Sequence, residues 1–120
     1  TILHAEHHRP AELPMPDRYA RHYADMARLL QHPQADAMLA DHALCARVVA
    51  WKSRVFARQW ARYDLALPSS FRLVPPPSRN AELARDYAEM RPMFLTEPPS
   101  FDTVLSQLAS AEHMLNQRGA

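Results

Sequence analysis

Apolar positions recur at intervals of three and four along most of this chain, and the recurrences are interrupted at prolines, the pattern of short amphipathic helices joined by stiff loops. Over residues 17–31, Tyr19, Tyr23, Met26, Ala27 and Leu30 fall on one side of a predicted helix, with Asp17 as its N-cap and His32-Pro33 as its stop. A short helix over 34–40 follows. The next stretch, DHALCARVVAWKSRVFAR over 41–58, carries a stripe of Leu44, Val48, Trp51 and Val55, widened by Cys45, Val49 and Phe56. An apolar arc over more than a third of its girth predicts the central helix of the fold, with a period that allows it to run on through WARYDLA to Pro68.

The remaining segments complete the outline. TILHAEHHRP reads as the tail of a helix, and Pro10, Pro14 and Pro16 turn the chain after it. SSFRLVPPP reads as an extended connector. Ser78 is placed as the cap of a helix over 79–91 with Leu83, Tyr87 and Met90 inward. A last helix starts at Ser100, has Asp102 in its first turn and Leu105, Leu108 and Leu115 inward, and is followed by Gly119. The predicted class is all-α: one bundle-like domain of about five helices with Pro-rich loops.

Composition narrows this outline. One glycine and eleven prolines leave no material for a glycine-rich phosphate loop and little for hairpins. A length of 120 residues suits one domain. The single cysteine, Cys45, excludes an internal disulfide and sits where a small buried apolar residue is expected. No apolar run reaches membrane-spanning length, so a soluble, cytoplasmic protein is expected. The chain starts at Thr1 with neither an initiator Met nor a signal-peptide pattern, which predicts a piece of a longer polypeptide.

Charge is uneven although the net is only +1: residues 1–41 sum to −2, 42–79 to +6 and 80–120 to −3. Thirteen arginines stand against one lysine, which singles out Lys52. The basic middle is either a solvated helix face or a surface for an anion or RNA.

Candidate chemistry is sparse. His4, His7 and His8 have the spacing of imidazoles on one helix face, but no HExxH carboxylate or CxxC partner accompanies them, so surface or packing histidines are the expectation. No nucleophile sits on a recognisable elbow. Asp25 is more telling: it lies about 160° around the helix from Tyr23, on the side away from the apolar stripe. It is either an exposed acid paired with Arg21 or Arg28, at helical contact spacing, or part of a face that meets another domain. Lys52 interrupts the apolar arc between Val48 and Phe56, either as a snorkelling side chain or as a grip on phosphate or carboxylate, with Arg54 and Arg58 expected on the adjoining side, which would suit an anionic ligand.

The ordered set HYxDM, VVxxKxxxF, WARYD, RLVP, DYxxM and PPSFDxVLxxL, spread over residues 17–117, resembles the C-terminal helical part of the AbiEii-type nucleotidyltransferase toxins of type IV toxin–antitoxin and abortive-infection systems. The resemblance implies a parent enzyme of the DNA polymerase β type. Its N-terminal α/β domain, with a Gly-Ser turn and an Asp-x-Asp metal pair, has no counterpart in these residues, and neither does the lysine of the family's third motif. The fourth motif, R-[DH]-x-x-D-[LIM], falls on Arg21, His22, Asp25 and Met26 and assigns Asp25 an active-site role. His22 stands where other versions carry an acid. Lys52 falls on a lysine typical of the family's central helix and, with Arg21, Arg54 and Arg58, is expected to hold a nucleotide phosphate or an RNA backbone, with Mg²⁺ and NTP implied as the intact enzyme's cofactors. The implied partners are the missing N-terminal domain, an RNA acceptor and an antitoxin protein, with no membrane. The isolated chain is expected to be inactive.

Overall fold

The computed structural model describes residues 1–56 and 58–118, and among them it is all-α: six α-helices and four single-turn 3₁₀ helices, with no strand. The helices are α1 (Ile2–His7), α2 (Ala20–Leu29), α3 (Ala35–Ala40), α4 (His42–Val55), α5 (Asn80–Glu89) and α6 (Phe101–Arg118). Gly119, expected beyond the last helix, lies outside the described residues.

The core forms where α6 packs along α2 and α5 closes against α2. Tyr23, Leu83, Val104 and Leu108 are fully buried there, joined by Leu3, Tyr87, Met90 and Phe101. The α2 stripe thus faces inward as its period requires, with Tyr19, Met26 and Leu30 half-buried at its margins. Removing such side chains from water stabilises by roughly 1.5–3 kcal/mol each.

The expectation that 41–58 is the central helix is corrected. No residue of α4 is buried, and only Cys45 and Val49, both half-buried, pack onto a small second cluster of Ala66, Phe71 and Leu115. The central helix is α6. Cys45 is therefore half-buried rather than internal, and its thiol is raised above its ordinary value by that burial. Nor does α4 continue to Pro68: it ends at Phe56, and left-handed Arg62 (φ 50°) separates two 3₁₀ turns, Gln59–Ala61 and Tyr63–Leu65.

Two helix starts also differ from expectation. Asp17 does not cap α2. Its cap comes from α5, where Asp86 accepts from the backbone N–H of Ala20 (2.9 Å) and of Arg18 (3.0 Å) and from the Arg18 guanidinium (3.1 Å). Those bonds offset the cost of Arg18's left-handed backbone at φ 64°. Ser78 makes no cap either, because the chain enters α5 through a 3₁₀ turn, Pro77–Arg79. Ser100 does cap α6, accepting from the N–H of Thr103 at 3.2 Å.

The extended connector is held by side chains, since buried backbone polar groups need partners and no neighbouring strand supplies them. Asn116 of α6 bonds both the N–H and the C=O of Phe71 (2.9 Å each), and Glu112 accepts from the N–H of Leu73 at 2.8 Å. His4 accepts from the N–H of Arg72 at 3.2 Å, and His7 Nδ1 bonds the C=O of Val74 at 2.9 Å. Buried Arg79 clamps the proline-rich loop, donating to the carbonyls of Pro10 (2.9 Å) and Leu13 and to Glu82.

Candidate functional site

Helix α2 presents two faces with different tasks. Ala20, Tyr23 and Ala27 lock it into the core, and this fixes the direction of Arg21, His22 and Asp25 on its other sides. Asp25 and Arg21 are exposed, and His22 is half-buried with its ring edge-on to Tyr19 at 4.7 Å. Asp25 makes no ion pair or hydrogen bond with any described residue, although Arg21 and Arg28 stand at helical contact spacing. Its carboxylate differs in this from Asp86, whose oxygens are taken up by the α2 cap.

The charges around His22 show what else lies nearby. Burial pushes its imidazole below the ordinary histidine value and Arg21 pushes further, Asp25 and Glu6 pull back, and Lys52 of α4 lowers it again. Lys52 is half-buried on the inner edge of α4, with its ammonium 5.2 Å from the centre of the Phe56 ring. Burial lowers the Thr1 amine below its ordinary value, with smaller opposing contributions from Cys45 and Lys52.

Arg54 and Arg58 are placed differently. At 100° per residue Arg54 lies about 160° around α4 from Lys52, on the exposed outer side, and exposed Arg58 follows the helix end. Arg21, His22 and Asp25 thus share the outer sides of α2, Lys52 sits on α4, and Arg54 and Arg58 lie apart from Lys52.

Of the residues that match R-[DH]-x-x-D-[LIM], Arg21 and Asp25 are thus exposed and His22 and Met26 half-buried, on a helix anchored from behind. The sequence model of the family described as "Nucleotidyl transferase AbiEii toxin, Type IV TA system" matches residues 1–107. The chain belongs to the AbiEii family. No curated protein and no solved structure matches it.

For an AbiEii-family chain the donor set matters as much as the motif. Among the described residues no group of three or more His, Cys, Asp or Glu converges to hold a metal, and Asp25 stands among Arg21, His22 and Arg28. A divalent cation does not fit these residues. The three N-terminal histidines have structural partners instead: besides the connector bonds, His4 Nε2 donates to the carbonyl of Arg62 at 2.8 Å and His8 Nδ1 bonds the carbonyl of His4 at 2.9 Å. Among the described residues no helix is long and apolar enough to cross a membrane.

Sequence reasoning missed Glu6. It is buried on α1, held bidentately by Arg9 at 2.7 and 2.8 Å, and its charge reaches both His22 and Tyr23. Its i, i+3 spacing from Arg9 was the available signal.

Proposed function

We propose that this chain is the helical half of an AbiEii-like nucleotidyltransferase toxin, joined in the whole enzyme to an N-terminal α/β domain that supplies the Mg²⁺ site and most of the NTP contacts. The reaction is in-line transfer of a nucleotidyl group from NTP to an acceptor hydroxyl, RNA being the acceptor class, with release of pyrophosphate. Asp25 orients the acceptor hydroxyl or a lysine of the other domain. Lys52 and Arg21 hold the polyphosphate, where cations placed in advance stabilise developing charge. Arg54 and Arg58, on the outer side, follow the acceptor backbone. The isolated chain lacks activity, and an antitoxin is a further partner.

The observation that carries this reading is Asp25 itself: an exposed carboxylate with no ion-pair partner among the described residues, inside the family's motif, on a helix fixed by the core, one helical turn from His22. The test is incorporation of radiolabelled NMP into RNA by the whole enzyme. Asp25→Asn is expected to lower it by about a hundredfold or more with the fold intact, and Lys52→Ala to raise KM for NTP. Undiminished turnover by Asp25→Asn would remove Asp25 from the site. A second reading, a helical interaction module without catalysis, draws on the uncovered apolar face of α4 and requires that no Asp25 variant affect any activity.

A further inference from the structure

The apolar arc of α4 is wider than this chain covers. Cys45 and Val49 form its inner edge against Ala66, Phe71 and Leu115. Its outer edge is a continuous seam at i, i+4, i+7 and i+11: Leu44, Val48, Trp51 and Val55, respectively 47%, 39%, 48% and 54% exposed. The seam sits on a regular helix, capped by Asp41, which accepts from the N–H of Leu44 at 3.0 Å. Four large side chains in one exposed row are the mark of a partner surface rather than of scattered surface residues.

Beyond the Asp41 cap, the charged residues of α4 are all cations. From His42 to Tyr63 there are five cations, Arg47, Lys52, Arg54, Arg58 and Arg62, and no acid. Arg47 and Arg54 lie on the outer margin of the seam, and neither has an ion-pair partner among the described residues. Two copies pairing antiparallel through the seam would set Arg47 of one against Arg54 of the other, and parallel pairing would set Arg47 of one against Lys52 of the other. Like charges so placed oppose self-association. Nucleic acid accounts for Arg54 and one stacking face, Trp51, but not for the seam as a whole, because Leu44, Val48 and Val55 offer neither a stacking face nor a charge.

We propose that the α4 seam is the docking face for a helix of another protein whose apolar stripe is bordered by Asp and Glu. The seam takes the partner's apolar side chains in the helix-to-helix mode, and Arg47 and Arg54 pair with its acidic border, setting orientation and association rate. This does not depend on the nucleotidyl-transfer reading.

The test uses the 120-residue chain and two synthetic helical peptides with one Leu/Ile stripe, bordered by Glu in one and by Lys in the other, with single-stranded oligouridylate as a third probe. Calorimetry is expected to show binding of the Glu peptide that weakens with salt and falls about tenfold or more in Val48→Asp, whose far-UV circular dichroism stays unchanged. The double variant Arg47→Glu/Arg54→Glu is expected to prefer the Lys peptide, which a merely sticky surface would not do. Equal affinity for both peptides, no binding of either, tighter binding of oligouridylate that Val48→Asp abolishes, or a dimer in sedimentation that Val48→Asp dissolves would each overturn the proposal.

Discussion

Helices α4 and α6 each carry a long apolar stripe at helical spacing, and the structure treats them in opposite ways. On α6, Phe101, Val104, Leu108, Ala111 and Leu115 are all buried, and between them Glu112 and Asn116 bond the connector backbone. On α4 the seam from Leu44 to Val55 faces outward, and the flanking cations add no bond to the core. A stripe records that a face is to be covered. It does not say by what, and in this family member one stripe makes the domain while the other is left for something else.

The largest effect that separates the two is a truncation on each. Leu108→Ala is expected to cost about 3–5 kcal/mol in urea unfolding, because it opens a cavity at a fully buried position, whereas Leu44→Ala costs about 1 kcal/mol or less. Equal losses would mean that α4 is covered in solution.

Acid sharpens the contrast from the other side of the molecule. His4 is held to about 4, chiefly by burial, and its two bonds require the neutral ring, Nε2 donating to Arg62 and Nδ1 accepting from Arg72. A lowered folded-state value means that the unfolded chain binds the proton first. The contribution is complete above the unfolded value of 6.5 and is lost as pH falls toward 4, up to roughly 3 kcal/mol. His8 and His22 are shifted in the same direction. Unfolding measured across that window should show the loss, flattened in His4→Gln. A flat profile in the unaltered chain would contradict the buried neutral ring.

A smaller effect concerns the cap of α2. Asp86→Ala is expected to cost about 1–2 kcal/mol, and Asp17→Ala to fall within about 0.5 kcal/mol of no change. Asp25→Asn should be smaller still in stability, because the exposed carboxylate holds nothing together.

These contrasts mark how far the sequence could be read. The all-α class, the inward stripe of α2, the outward Asp25 and the capping Ser100 were legible because each follows from local period or local chemistry. The central helix was not, since period alone ranked the wider arc of α4 above that of α6. Asp86 capping α2 and His4 holding Arg72 join residues 66 and 68 positions apart, and no local pattern encodes them. Of the candidate site, the motif on α2 was legible. The contact of the Lys52 ammonium with the Phe56 ring was not, whereas the placing of Arg54 about 160° around α4 from Lys52 follows from the helical period.

Carbene footprinting read residue by residue by mass spectrometry tests the account's central claim, that this chain covers the α6 stripe and leaves the α4 seam open. In the free chain, Leu44, Val48, Trp51 and Val55 should label strongly while Val104 and Leu108 stay protected, and the Glu-bordered peptide should shield the first group alone. Protection of the α4 seam equal to that of Val104 and Leu108 in the free chain would contradict it.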